Sequence, residues 1–254
     1  MPRLAARLLG AFQVELDEQP VGGYSSAKVR ALLAFLLMER ERPHSRDELC
    51  GLLWPDEHQE VAQANLRQAL ANLRQVLGDR TATTPFLTVT RESIRLAEEA
   101  DCSVDVQEFL DRLDRCRLHN HRRPEACALC IERLDGALRL YRGDFLDGLY
   151  IDAAPEYDAW AAAQRERVRS NVLAALSTLA EHYLLTGKHD LAGEFARRQL
   201  ELEPWHEEAH CQLMRSCVLA GNRSAALNQF ETCRRIMAAE FHAEPSAETQ
   251  ALLR

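Results

Sequence analysis

The stretch AQANLRQALANLRQVL, residues 62–77, contains its own echo: Asn65-Leu66-Arg67-Gln68-Ala69-Leu70 returns seven residues on as Asn72-Leu73-Arg74-Gln75-Val76-Leu77. At about 100° per residue on a helix, Leu66, Leu70, Leu73 and Leu77 fall in one apolar stripe. Gln68, Gln75, Ala64 and Ala71 lie opposite it, with Arg67 and Arg74 on one flank and Asn65 and Asn72 on the other. No carboxylate interrupts that outer face. Asn, Gln and Arg side chains can pair in bidentate fashion with base edges, and alanines let a helix sit deep in a groove. A solvated polar face on an ordinary amphipathic helix would have the same pattern, so the neighbouring segments decide between the two.

Upstream, residues 4–21 alternate over Phe12-Gln13-Val14-Glu15-Leu16 and turn at Asp17-Glu18-Gln19-Pro20, which reads as a small antiparallel meander. Ser25 or Ser26 can cap a helix over Lys28–Met38 that is apolar on nearly every side and belongs in a core. Ser45 with Glu48 three residues on forms a capping-box pattern, opening a short helix from Arg46 to Leu53 that Trp54-Pro55-Asp56 stops. Gly78 ends the quoted helix. Two short strands follow, residues 85–90 and 93–96, joined around Arg91-Glu92. Three helices and then a hairpin is the order of a winged helix, in which the third helix enters the major groove and the hairpin flanks the backbone.

Composition sets limits on that reading. The 254 residues suggest about two domains. No apolar run reaches the roughly 18 residues of a membrane span, and the first ten residues lack a signal-peptide core, so a cytoplasmic location without membrane partners is expected. The net charge is -8. Residues 1–100 carry 12 basic against 14 acidic side chains, so DNA binding would depend on a local basic face and be modest and salt-sensitive. Nearly every basic residue is arginine, with Lys28 and Lys188 the exceptions. Enzyme classes find little support: there is no Gly-rich phosphate loop, no G-x-S-x-G and no H-E-x-x-H.

Beyond residue 101 the strand signals stop. A capped amphipathic helix is expected over 103–113 and another over 127–140, with a loop over Tyr141–Gly148 and a long helix over about 155–185 stopped by Gly187. Gly187-Lys-His-Asp-Leu-Ala192 is then matched 34 residues later by Gly221-Asn-Arg-Ser-Ala-Ala226. A 34-residue period with a small residue near the inter-helix turn is the tetratricopeptide signature, so a stacked helical solenoid is expected.

Taken together, the chain resembles the regulators that join an OmpR-type winged helix to a bacterial transcriptional activator domain, the SARP/AfsR-like transcriptional regulators. The resemblance rests on the Lys28–Met38 helix, Ser45-Arg46-Asp47-Glu48-Leu49 with Leu53-Trp54-Pro55, and Asn65 through Gly78. In the second half it rests on Leu140-Tyr141-Arg142-Gly143-Asp144-Phe145-Leu146, Trp160 to Arg169, and the repeat segment ending at Glu244-Pro245-Ser246. It implies a mainly α fold, with a winged helix-turn-helix carrying an N-terminal β-sheet and a hairpin wing over 1–100, then an all-α tetratricopeptide-like domain over 101–254. It further implies sequence-specific binding to double-stranded promoter DNA, self-association on direct repeats, and activation through RNA polymerase. By this resemblance residues 62–77 are the recognition helix and 88–95 the wing. Lys28, Ser45 and Arg46, at helix starts, are phosphate contacts, since helix N-termini favour anions. Asn65, Arg67, Gln68, Asn72 and Arg74, with Arg91 and Arg95 of the hairpin, are the remaining candidates. A helical interaction scaffold whose winged helix does not bind DNA specifically is the alternative. Longer relatives of this type carry an ATPase and sensor region behind these domains, and the apolar helical pattern at Ala251–Arg254 leaves two readings open, a natural end or the front part of such a regulator.

One segment is not demanded by that pattern. Cys116-Arg-Leu-His119-Asn-His121 is followed by Cys127-Ala-Leu-Cys130, two ligand pairs separated by a short spacer. Such pairs suit tetrahedral zinc, with Cys116, Cys127, Cys130 and either His119 or His121 as ligands of a structural ion. Helix cysteines beside a histidine-rich loop, or a redox site, are the competing readings. Without a secretory signal the eight cysteines are expected as thiols or ligands, Cys50, Cys211, Cys217 and Cys233 as core thiols.

Overall fold

A computed structural model describes residues 2–252 apart from 81, 83 and 122. The chain divides into two compact units, Met1–Leu110 with Leu140–Val168, and Asp111–Arg139 with Arg169–Arg254. Among the described residues no helix is long and apolar enough to cross a membrane.

The first unit opens on four short strands, β1 (Leu4–Arg7), β2 (Gly10–Ala11), β3 (Gln13–Leu16) and β4 (Gln19–Pro20). β1 runs antiparallel to β3 in the register Leu4↔Leu16, and β3 to β4. Asp17 and Glu18 turn the second pair with φ of 49° and 65°, the positive values that a two-residue hairpin matching the strand twist requires. Helix α1 (Ala27–Met38) starts at Ser26, whose Oγ accepts from the Val29 amide. Eight of its twelve residues are buried. With each buried Val, Leu or Phe contributing about 1.5–3 kcal/mol, burial outweighs helix propensity as the reason this segment is ordered.

Strand β5 (His44–Ser45) leads into α2 (Arg46–Leu53). The Ser45 hydroxyl accepts from the Glu48 amide, as the capping pattern requires. The reciprocal half of that pattern is absent: the Glu48 carboxylate turns to Arg42 and the His44 ring. Helix α3 (Gln59–Val76) begins three residues before the echoing stretch and buries Ala62, Leu66, Ala69, Leu70 and Leu73. The hairpin β6 (Leu87–Val89) and β7 (Ser93–Leu96) gains β5 as a third strand through His44↔Ile94. The carboxylate of buried Asp79 fixes its start by accepting from the amides of Phe86 and Leu87. Burial raises the Asp79 pKa against the pull of those two amides.

Two short strands correct the expectation of a purely helical second half. β8 (Cys102–Val104) runs parallel to β1 in the register Leu4↔Cys102, so Ser103 lies in a strand and α4 (Asp105–Arg117) begins two residues later. After α5 (Ala128–Leu138), which belongs to the second unit, β9 (Phe145–Asp147) lies inside the expected Tyr141–Gly148 loop and runs parallel to β2. The reason is accounting of main-chain groups: the N-terminal strands need partners for their buried amides and carbonyls, and these segments supply them. Asp105 completes the join, its carboxylate accepting from the amides of Leu8 and Leu9 and from Arg142. The opening residues of α6 (Pro155–Leu185) close this unit. There Trp160 meets Phe35, Phe145 and Tyr157 at ring distances of 5.1, 5.7 and 5.2 Å, and donates to Glu39.

The second unit continues with α7 (His189–Leu202), α8 (Glu207–Leu219), α9 (Arg223–Phe241) and α10 (Ala247–Ala251). Consecutive helices α7, α8 and α9 pack on one another. Gly187 and Gly221, the matched positions of the 34-residue repeat, both adopt left-handed backbone, φ 74° and 79°. A side chain disfavours that conformation, which explains why glycine stands at the same point of each turn. Met214, Ala226 and Phe230 form a core with Cys211 and Cys217 against it. Cys233 is fully buried, and Cys50 is buried in the first unit.

Candidate functional site

Helix α3 presents the face expected from its sequence. Ala64, Arg67, Gln68, Ala71, Arg74 and Gln75 are exposed, while the leucine stripe is turned inward. Arg74 sits in the last turn, where the helix dipole favours a cation. Arg67 is exposed and donates through Nε to the Gln63 carbonyl. Arg46 of α2, Arg67 of α3 and Arg91 at the hairpin tip line one cleft of about 540 Å³ with Gln63. Three elements distant in sequence thus place three guanidinium groups around one concavity.

The other candidates are placed differently. Asn72 is only half exposed, and its amide is committed to backbone: Oδ1 accepts from the Ser25 amide at 2.9 Å and Nδ2 donates to the Gly23 carbonyl at 3.1 Å. It anchors the segment before α1 to α3. Arg46 donates to the carbonyls of Arg91 and Thr90, so it ties the hairpin turn to the start of α2 while facing the cleft. Ser45 is occupied as the cap of α2. Arg95 pairs with Glu98 at 2.6 Å. Lys28 lies over the Trp54 ring at 5.7 Å, a cation–π contact. Lys28, Asn65 and Gln68 line a second cleft of about 490 Å³ together with Tyr150 and Asp152. Reading the helix alone misses Tyr150 and Asp152. Their signal is indirect, since they follow the Tyr141–Phe145 motif that the β2–β9 pairing brings into this unit.

In the second unit the cysteine–histidine segment closes on itself. His119 Nδ1 stands 3.4 Å from both Cys127 Sγ and Cys130 Sγ, and the three ligand atoms lie within 4.8 Å of one another. His121 Nε2 is 3.2 Å from Cys130 Sγ. Cys116 is buried and directed at the Cys130 carbonyl oxygen, 3.7 Å away. Cys127 is the N-cap residue of α5 and Cys130 lies in its first turn. No capping hydrogen bond forms from the Cys127 side chain, yet the amides of Cys130 and Leu129 face its sulfur and hold the thiol below its usual range. Burial pushes the Cys130 thiol up to about 12 and raises that of Cys116. His182 Nδ1, on α6, meets the Glu125 carbonyl at 2.7 Å and steadies the loop from the other side.

Comparisons with known proteins agree with this architecture. A family model described as the bacterial transcriptional activator domain matches residues 104–254, and one described as the C-terminal domain of transcriptional regulatory proteins matches residues 24–93. The chain is 25% identical over 259 residues to the transcriptional regulatory protein EmbR of Mycobacterium tuberculosis, covering 98% of this chain and 62% of that protein. It is 29% identical over 233 residues to the regulatory protein AfsR of Streptomyces coelicolor, covering 89% of this chain and 22% of AfsR. The structure of M. tuberculosis EmbR in complex with a low-affinity phosphopeptide superposes with a TM-score of 0.78 at 25% identity, covering all of this chain and 64% of the other. The chain therefore spans a little over three fifths of the length of EmbR.

Proposed function

Since the chain belongs to the bacterial transcriptional activator domain family, a family of non-enzymatic transcriptional regulators, we propose that it binds promoter DNA through α3 and activates transcription. The observation that carries this reading is the convergence of Arg46, Arg67 and Arg91 on one cleft beside a helix face that over residues 62–77 holds amides and alanines and no carboxylate, Glu60 of the first turn lying at its N-terminal end. A B-DNA major groove about 12 Å wide accepts such a helix. In that pose Gln68, Arg67 and Arg74 meet base edges or the flanking backbone, and Arg91 meets phosphate. Asn72, Ser45 and Arg46 act by holding the elements in place. Lys28, in the first turn of α1, takes phosphate where helix dipole and side-chain charge add.

The electrostatic contribution is small, because the chain carries a net charge of -8. Binding through a local basic face against that charge gives one protomer a modest, salt-sensitive affinity. Two protomers on adjacent direct repeats would raise the effective affinity. The tetratricopeptide-like stack of α7, α8 and α9 offers the surface for RNA polymerase or another partner, as helical repeats do by stacking neighbours into an extended face.

A gel-shift assay with upstream DNA of candidate target genes, at low and moderate salt, tests the reading. A discrete complex that survives an excess of unrelated competitor DNA is expected. Binding that never exceeds the non-specific level at either salt would overturn it and favour the scaffold reading.

A further inference from the structure

We propose that His119, His121, Cys127 and Cys130 form a structural zinc site that closes the connection between α4 and α5. The inference stands apart from DNA binding and rests on geometry within the second unit. With zinc–nitrogen bonds of about 2.0–2.1 Å and zinc–sulfur bonds of about 2.3 Å, the nitrogen–sulfur edge of a tetrahedron is roughly 3.5 Å. The distances from His119 Nδ1 to both sulfurs, 3.4 Å, and from His121 Nε2 to Cys130 Sγ, 3.2 Å, are already near that length. His119, Cys127 and Cys130 already hold their ligand atoms within 4.8 Å of one another, and His121, whose ring stands edge to face with His119 at 5.2 Å, reaches the group through Cys130 and closes on it when the ion binds.

The chemistry of the donors selects the ion. Two thiolates and two imidazoles suit a borderline-soft divalent metal of tetrahedral preference, and lack the oxygen donors that magnesium or calcium takes. Four protein ligands leave no open position, which marks a structural and not a catalytic centre. Cys116, whose thiol faces the Cys130 sulfur as well as the Cys130 carbonyl, lies outside the group of ligand atoms within 4.8 Å of one another and is the competitor of His121 for the fourth place.

The surrounding loop explains what the ion would do. Its largest apolar side chain, Leu118, is 86% exposed and anchors nothing. Besides the Glu125–His182 contact and the bond from Arg117 to Asn171 of α6, the described loop residues make local pairs such as Arg123 with Glu125 and Arg117 with Asp114. Exposed pairs of that kind contribute little. Sulfur–imidazole hydrogen bonds are weak as well, so without metal the cluster buries polar groups for small return. A bound ion would supply the missing enthalpy and make its affinity part of the stability of this segment.

The test uses the full chain, expressed with zinc in the medium and purified reduced and without chelator. Elemental analysis is expected to give about one zinc per chain. Cobalt exchanged into the wild type should show the intense visible bands of tetrahedral thiolate coordination, a readout that needs no mutant to fold. C130S and H121A should lose the metal, while C116S should keep it, and chelator should lower the unfolding temperature of wild type and C116S alone. Metal below about 0.2 per chain with no cobalt spectrum, or a Cys127–Cys130 disulfide in place of metal, would overturn the site. Loss of metal in C116S with retention in H121A would overturn the ligand set assigned here.

Discussion

Helix α3 and the α4–α5 connection are the two places where this chain concentrates functional groups, and they use them in opposite ways. On α3 the polar side chains point away from the leucine stripe, so fold and surface chemistry sit on different faces of one element. In the connection the polar side chains point at one another, around a buried sulfur. The first arrangement can lose surface groups without losing its shape. The second is organised by the groups themselves. A dense run of Arg, Asn and Gln and a dense run of Cys and His look alike as sequence signals, yet one describes an exposed face and the other an internal junction.

The sharpest way to break the comparison is to attack the inward face of α3. Leu73 is fully buried, and Leu73→Ala should cost about 2–5 kcal/mol of stability, read by chemical denaturation. DNA binding should fall only as far as the folded population falls. Asn72→Ala comes next, because it removes two bonds to the backbone of Gly23 and Ser25. At about 1 kcal/mol per hydrogen bond the expected loss is roughly 1–2 kcal/mol, with sequence preference unchanged. A relaxed base preference at constant stability would instead make Asn72 a reader of bases.

The smallest effect concerns acid. The Glu48 carboxyl is held at about 2 chiefly by the Arg42 guanidinium, with His44 assisting, against an ordinary value of 4.5. A carboxylate whose folded value lies below its unfolded one stabilises the fold fully above the unfolded value. That contribution disappears as pH falls from 4.5 toward about 2. The gap in unfolding temperature between wild type and Glu48→Gln should therefore be constant near neutrality and close through that acid window. A gap independent of pH down to its lower end would show that the ion pair does not stabilise the fold.

Local signals made much of this molecule legible from its residues. The caps at Ser26 and Ser45, the leucine spacing of α3, the hairpin after it and the paired Gly187 and Gly221 all act within a few residues of themselves. Strands β8 and β9 were not legible, being three residues each and defined by pairing with strands at the chain start. The same limit applies to the candidate interface. Helical periodicity orients Gln68, Arg67 and Arg74 outward, but the commitment of Asn72 to Gly23, or of Arg46 to Thr90, depends on backbone about 45 to 50 residues away. In the cysteine–histidine segment spacing names five candidates, of which His119, Cys127 and Cys130 hold their ligand atoms within 4.8 Å of one another. Choosing among them needed the path of the loop, which turns Cys116 to a carbonyl and both histidines to Cys130.

The central claim is that the outer face of α3 serves recognition and not folding. Its most direct test is the Arg67→Ala/Arg74→Ala double variant, with promoter affinity by fluorescence anisotropy and unfolding temperature measured on the same preparation. At about 1–3 kcal/mol per guanidinium contact to a base, affinity should drop at least tenfold, with the unfolding temperature unchanged. Undiminished affinity, or a loss that merely follows a fall in stability, would contradict the account.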